Sequence, residues 1–315
     1  MDFTHLHLHS DYSLLDGACK IEKLIDKVQS LGMNSVAVTD HGNLFGAVEF
    51  HDRARKKGIK PIIGCEMYVA PGRRDDKTGR PSDLEENNFH LVVLAENLQG
   101  YHNLVKLVSR ANLEGYYYKP RVDKELLAEH SKGLIVLSAC LSGEVAVNLL
   151  NGNFENAMKV AGEYQDIFGA GNYFLEIQDH GLADQTRINP DLVKMSSRLE
   201  IPLVATNDSH YIHKEDAHAH DVLLCIQTNR TISEQNRMRF GTNGFYIKSP
   251  EEMMNVFREL PHAIHTAGEI GKRCDVDLRS KGYLLPLFPV PEGYTLSGYF
   301  EEIANKGYQE RLPKL

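Results

Sequence analysis

The sequence predicts an α/β fold, a distorted (β/α)7 barrel with a metal cluster at the C-terminal mouth of its strands. Three observations point there. Seven short apolar, largely β-branched runs alternate with amphipathic helical stretches. Side chains able to bind metal sit at or near six of those runs. The first run, Thr4-His5-Leu6-His7-Leu8-His9-Ser10, alternates so that His5, His7 and His9 share one face.

The strand-like runs cover residues 4–9, 35–39, 60–67, 89–94, 134–137, 173–177 and 203–206. Helical periodicity covers 21–31, 44–57, 98–111, 154–168 and 190–199. Gly32, Gly58 and Gly169 follow three of these stretches, where helix C-termini favour glycine. Strand alternating with helix implies a parallel sheet with crossover helices. Residues 73–88 are polar and read as an exposed loop, and 115–121 interrupt the pattern again. After Tyr211 the sequence turns helical, with one hairpin-like piece near 240–247. Residues 283–294 are rich in Leu, Pro and Gly and read as a linker to a last helix, 296–311. The chain stops soon after, as expected of a fragment of a longer protein. The expected division is a domain over 1–275 and a linker with the start of a further region over 276–315.

At 315 residues, 42% hydrophobic and 25% charged, the chain can bury a sizeable core. It has no long apolar run, which excludes a transmembrane helix. The start Met1-Asp2-Phe3-Thr4-His5 lacks the basic and apolar regions of a signal peptide, so a cytoplasmic protein is expected. The five cysteines are scattered without a CxxC pair, which excludes a zinc ribbon or disulfide framework. Cys19, Cys65, Cys225 and Cys274 read as small buried hydrophobes; Cys140 does not. A net charge of −8 argues against tight sequence-independent nucleic-acid binding by this chain alone. An acidic protein can still act on phosphates when metal ions supply the positive charge.

Three histidines on one face of a barrel strand make a poor core, since each needs a buried partner. Aimed at one point, such imidazoles make a metal clamp. The other strand ends repeat the theme: Thr39-Asp40-His41-Gly42, Gly64-Cys65-Glu66-Met67, Phe89-His90, Ser138-Ala139-Cys140 and Asn207-Asp208-Ser209-His210. Asp16 joins them from Leu14-Leu15-Asp16-Gly17. Each has a bland alternative: a turn residue for Asp16, a helix cap for Asp40 or Asp208, a core side chain for His90 or Cys140. Their common position at one face of a barrel favours the functional reading, because catalytic groups collect at the C-terminal mouth.

The sets His-Leu-His-Ser, Thr-Asp-His-Gly, Gly-Cys-Glu, Phe-His-Leu and Asn-Asp-Ser-His resemble the polymerase and histidinol phosphatase (PHP) family over residues 1–275. His9-Ser10-Asp11-Tyr12-Ser13 through Asp16-Gly17 resembles the branch carried by bacterial replicative DNA polymerases. The stretch 285–294 and the helix after it resemble that branch's join to its polymerase region.

The resemblance implies nine metal ligands: His7, His9, Asp16, His41, Glu66, His90, Cys140, Asp208 and His210. It groups them around up to three divalent ions. His7, His9, Glu66 and Asp208 hold one, Glu66, His90 and Cys140 a second, and Asp16, His41 and His210 a third. Zinc and manganese are expected, with iron or magnesium as other options; a Cys140 thiolate favours a softer ion such as zinc. His5 is left for an outer layer or the barrel floor. Asp16, Glu66 and His210 are the implied catalytic set. The implied activity is metal-dependent phosphodiester hydrolysis, a 3′–5′ proofreading exonuclease acting on a DNA 3′ end. Implied partners are the remainder of the polymerase subunit, a separate proofreading exonuclease subunit and other replisome proteins, with no membrane.

Two other functions stay open: a non-catalytic, metal-stabilised module that docks an exonuclease subunit or the polymerase body, and a free-standing small-molecule phosphatase. The chain is not itself a polymerase, since nothing after residue 275 offers the acidic pair of a two-metal polymerase site. Glu176, Gln178 and His180 are candidate substrate residues, or simply a polar strand end. Arg73, Arg74, Lys77 and Arg80 are either a track for a DNA backbone or a solvated loop. Tyr116, Tyr117 and Tyr118 with Lys119 and Arg121 either stack bases or pack a neighbouring domain.

Overall fold

The computed structural model describes residues 3–78, 88–279, 282 and 285–314. The chain divides into two compact units, Met1–Leu278 and Arg279–Leu315. The first is built on a mixed sheet of β1 (Ser35–Val38), β2 (Lys60–Val69), β3 (Phe89–Ala95), β4 (Arg121–Val122), β5 (Leu134–Leu137), β6 (Tyr173–Ile177) and β7 (Leu203–Ala205). Its path runs β1-β2-β3-β5-β6-β7, with β4 beside β2. These strands are apolar runs buried on both faces, as a sheet sandwiched between side-chain layers demands.

Residues 4–9, expected as a first strand, form an extended segment joined by isolated bridges. It lies between the two ends of the path. His5 and Leu8 carbonyls accept from Ala37 and Thr39 N–H at 2.8 Å, on the β1 side. His9 N–H donates to the Ser209 carbonyl at 2.8 Å, just past β7. The segment thus closes the curl into a distorted barrel.

The parallel sheet expected from the alternation is found only in part. β3 runs antiparallel to both β2 and β5, while β1–β2, β5–β6 and β6–β7 are parallel. A parallel neighbour needs a crossover helix; the polar sequence after β2 offers no such amphipathic stretch, and the chain turns back instead. The reversal has a consequence for the site. It sets His90, at the start of β3, opposite Tyr68, near the end of β2. A residue at the beginning of its strand therefore reaches the same mouth as residues at the ends of others.

The hairpin expected near 240–247 is absent. Residues 244–246 instead run beside 207–211: the Phe245 carbonyl accepts from His210 N–H at 2.8 Å, and Asn207 Nδ2 donates to the Gly244 and Tyr246 carbonyls at 3.0 and 2.8 Å. The helix expected from 190 begins earlier, Ala183–Leu199, and carries Pro190 inside it. Helices Lys124–Glu129 and Glu144–Leu150 are too short to show a period in sequence. No described helix is long and apolar enough to cross a membrane.

In the second unit, helix Leu296–Arg311 is capped by Thr295, whose hydroxyl accepts from Gly298 N–H at 3.1 Å. None of its side chains is buried.

Candidate metal centre

Three loops deliver side chains to the mouth on backbone that is unusual where they do so. Leu15, Ala139 and Asp208 have φ of 63°, 64° and 42°, a region non-glycine residues rarely occupy. Each is a ligand candidate or the residue before one; such conformations persist only where the surroundings enforce them. Gly17 is needed for another reason: a Cβ there would lie 2.0 Å from the Ser10 carbonyl oxygen. The Asp16 loop can fold back on the first segment only because position 17 has no side chain.

The nine candidate ligands converge. Asp16, His41, Glu66, His90, Cys140, Asp208 and His210 line a cavity of about 320 Å³. His7 and His9 are fully buried against Glu66 and Asp208. His7 Nε2 lies 3.3 Å from Glu66 Oε1 and 3.2 Å from Asp208 Oδ1. His9 Nε2 lies 3.2 Å from Glu66 Oε2 and 3.2 Å from Asp208 Oδ1. Glu66 also meets His41 Nδ1 and His90 Nδ1, both at 3.0 Å, and Cys140 Sγ at 3.8 Å. Asp16 Oδ2 is 2.8 Å from His41 Nε2 and 3.6 Å from His210 Nε2. Glu66 is therefore central, and Asp16 gathers the outer histidines.

These distances conceal a mismatch. His7 Nε2, His9 Nε2, His41 Nδ1 and Asp208 Oδ1 are buried and make no hydrogen bond. Buried polar atoms are seldom left this way, because each costs about 1–3 kcal/mol. Here they face one another or the Glu66 carboxylate at 3.0–3.3 Å without hydrogen-bond geometry. Lone pairs directed at shared points are what a cation requires.

The far sides of the rings fix their orientation. His7 Nδ1 bonds Glu176 Oε1 at 2.7 Å. His9 Nδ1 is 3.0 Å from Ser13 Oγ, which donates onward to Asp40 Oδ1 at 2.8 Å. His210 Nδ1 bonds the Asp208 carbonyl at 2.8 Å. With the outer nitrogen carrying the proton, each inner nitrogen presents a lone pair, the usual arrangement behind a metal-binding histidine.

Electrostatics agree. Burial disfavours charge on His7, yet the Asp208, Glu176 and Glu66 carboxylates raise its pKa well above the ordinary value. The same opposition leaves His41 pushed up to about 10, chiefly by Glu66 after burial. Burial would raise Glu66, but the His90, His7 and His41 rings hold it well below the carboxylate range. Burial would also raise Asp16, and His210 and His41 hold it low. The cluster is a concentration of buried negative charge seeking positive charge. Three carboxylates and a thiol among imidazoles suit divalent transition ions.

Other candidates fall elsewhere. His5 Nε2 bonds the Lys248 carbonyl at 2.9 Å, away from the cluster, and burial lowers its pKa to about 4. Glu176 does not face the cavity, being occupied by His7, Thr206 and Gln178. His180 stacks on Phe245 at 3.8 Å and spends both nitrogens on Asn207 and Gln185. Of that trio only Gln178 lines the cavity. Arg74 is held by Glu114 and Asp123, while Arg73 is exposed and paired with Asp75. Lys77 is exposed, and Arg80 lies outside the described residues. Arg121 is buried, bonding the Gly115, Arg74 and Asp76 carbonyls, with its guanidinium over Tyr117. Lys119 lies over Tyr68, while Tyr116 and Tyr118 are exposed. Sequence reasoning missed Ser13 and Asp40 as the support behind His9, although both lie within stretches already singled out.

Residues 5–180 match the PHP domain family. Curated relatives carry the name DNA polymerase III subunit alpha. That of Treponema pallidum is 46% identical over 312 residues, covering 99% of this chain and 26% of its own length. That of Thermus aquaticus is 44% identical over 321 residues, covering 99% and 26%. The chain thus spans about a quarter of the length of these relatives. Among solved structures, an amidohydrolase from Chromobacterium violaceum is similar over 66% of this chain and 87% of its own, at 16% identity and a TM-score of 0.45.

Proposed function

Because the chain belongs to the PHP domain family, we propose that it is a metal-dependent phosphodiesterase that removes nucleotides from DNA 3′ ends, as the proofreading exonuclease domain of a replicative DNA polymerase. Residues 1–275 are the hydrolytic domain in this reading, and 276–315 lead into the polymerase region. The DNA connection rests on the relatives' name. The hydrolytic chemistry rests on one observation: buried imidazole and carboxylate atoms aimed at one another without hydrogen bonds.

His7, His9, Glu66 and Asp208 would hold one ion, Glu66 with His90 and Cys140 a second, and Asp16, His41 and His210 a third. Divalent ions in such a cluster lower the pKa of water to about 7 and neutralise a phosphate's charge. The chain's residues do the positioning. Glu66 ties the inner and outer groups together through its two oxygens. Asp16 and His210, which line the cavity, are with Glu66 the residues this reading assigns to catalysis. Gln178, reaching the cavity, is the candidate that would meet the substrate.

The test is degradation of a 3′-mismatched primer with zinc or manganese, comparing the chain with Asp16→Ala and His9→Ala. Loss of nucleotides from the 3′ end by the parent and not by either variant supports the reading. An inert parent that still binds metal refutes catalysis by this chain.

A second reading has its own observation. Ligand candidates His7 and His9 on one side, and Asp208 and His210 on the other, flank the bonds that close the barrel. Metal held there would staple the seam of a structural module. In that case ligand substitutions lower the melting temperature while no hydrolysis is found in any form.

A further inference from the structure

Among the described residues, the cavity over the candidate metal centre has one permanently positive residue on its wall, Arg239. Everything else there is carboxylate, imidazole, thiol, amide, hydroxyl or apolar. Arg239 also lines the adjoining cavity, of about 550 Å³, together with Tyr211, His218, Asp221 and Asn243. It stands on the ridge between the two.

The segment that carries it is fixed on both sides. Arg237 is clamped to Asp221 by two bonds of 2.6 and 2.7 Å. Phe240 packs edge-on against His210, at 4.9 Å between ring centres, and lies 4.4 Å from Phe245. Arg239, between these anchors, is exposed and makes no hydrogen bond or ion pair among the described residues. The carboxylate whose charge it feels, Asp221, is already held first by Arg237. A guanidinium has five donors in a rigid fork suited to phosphate. An unengaged one on an anchored segment at the rim of an acidic cavity is placed for an anion outside that cavity.

We infer that Arg239 is a positioning residue for a polynucleotide: it grips the phosphate next to the one under attack, and the adjoining nucleotide lies in the second cavity beside Phe240 and Tyr211. The inference rests on the phosphodiesterase reading and deepens it with a residue that holds the substrate chain beyond the phosphate under attack. A chain with at least two phosphates uses both cavities, while a small diester uses only the first.

Manganese-loaded parent, Arg239→Gln and Arg239→Lys are compared on a single-stranded oligothymidylate and on bis(p-nitrophenyl) phosphate. The expected result for Arg239→Gln is a fall of about tenfold in the ratio of the two kcat/KM values, carried by KM for the oligonucleotide. The slope of log kcat/KM against log salt should also shrink by about 0.7, for one lost phosphate contact on a single strand. Arg239→Lys restores the salt slope, because it keeps the charge. A ratio and slope equal to the parent's overturn the inference while leaving phosphodiester hydrolysis standing. If the parent cleaves neither substrate, the phosphodiesterase reading fails, and fluorescence anisotropy with labelled oligothymidylate decides on Arg239. Binding weakened about tenfold by Arg239→Gln upholds the grip; equal or absent binding overturns it.

Discussion

His7 and Glu176 are joined by a fully buried bond of 2.7 Å between Nδ1 and Oε1. Glu176 is held in turn by Thr206 and Gln178. The carboxylate fixes which way the His7 ring faces and which nitrogen bears the proton. Glu176→Gln keeps the size and removes the charge. It should weaken metal binding about 10- to 100-fold, as loss of such support typically does. Competition with a chromophoric chelator measures it; unchanged affinity would show that the bond only fills the core.

Metal binding should release protons. The pKa values of His7, His41 and His210 are raised, in each case by neighbouring carboxylates working against burial. His41, pushed up to about 10, carries at pH 7 a proton that an ion must displace, so apparent affinity rises as the pH climbs toward 10. Titration calorimetry in two buffers of different ionisation enthalpy reads the release directly. Identical heats in both buffers would contradict it.

Much of this was legible in the sequence. The alternation of apolar runs with helical stretches located six of the seven named strands, because buried strands are short, apolar and β-branched. The nine convergent side chains were readable because their identities are chemically costly in a core. What stayed hidden was strand direction. Nothing in Phe89-His90-Leu91 states that β3 is reversed, yet only the reversal brings His90 to Glu66. β4 is two residues long, too short for any period. Support from Asp40 was hidden differently: an aspartate beside a histidine reads as a ligand or a cap, whereas its oxygens hold Ser10 and Ser13. Arg239 gave no signal, since one arginine in a polar stretch acquires meaning only from the two cavities it divides.

Two glycines should respond oppositely to alanine. At Gly17 the new Cβ would meet the Ser10 carbonyl at 2.0 Å, and backbone cannot yield cheaply. Gly17→Ala should cost about 1–3 kcal/mol and loosen Asp16. Gly162 lies inside helix Phe154–Phe168, with nothing within 4 Å of its Cβ position. Gly162→Ala should stabilise by about 0.5–1 kcal/mol. Urea midpoints of the two variants on opposite sides of the parent are the expected outcome; both on the same side would refute the steric account of the Asp16 loop.

Acid should destabilise the barrel before its carboxylates titrate. Burial lowers the pKa values of His180 and His220 to about 4, against 6.5 for the free side chain. Between those values the unfolded chain takes up protons that the folded one refuses. Stability is therefore unaffected by these groups above pH 6.5 and falls as the pH drops toward 4, by up to about 3 kcal/mol for a fully buried ring. The raised histidines act in the other window. Their contribution is complete below 6.5 and lost as pH rises through their folded pKa values, so it does not mask the fall. His180→Gln removes one titrating ring from its stack on Phe245. That variant should be less stable at pH 7 yet lose less stability than the parent between pH 7 and 4.5. Urea unfolding at a series of pH values measures both slopes, and parallel slopes would mean that His180 already carries its proton in the folded chain.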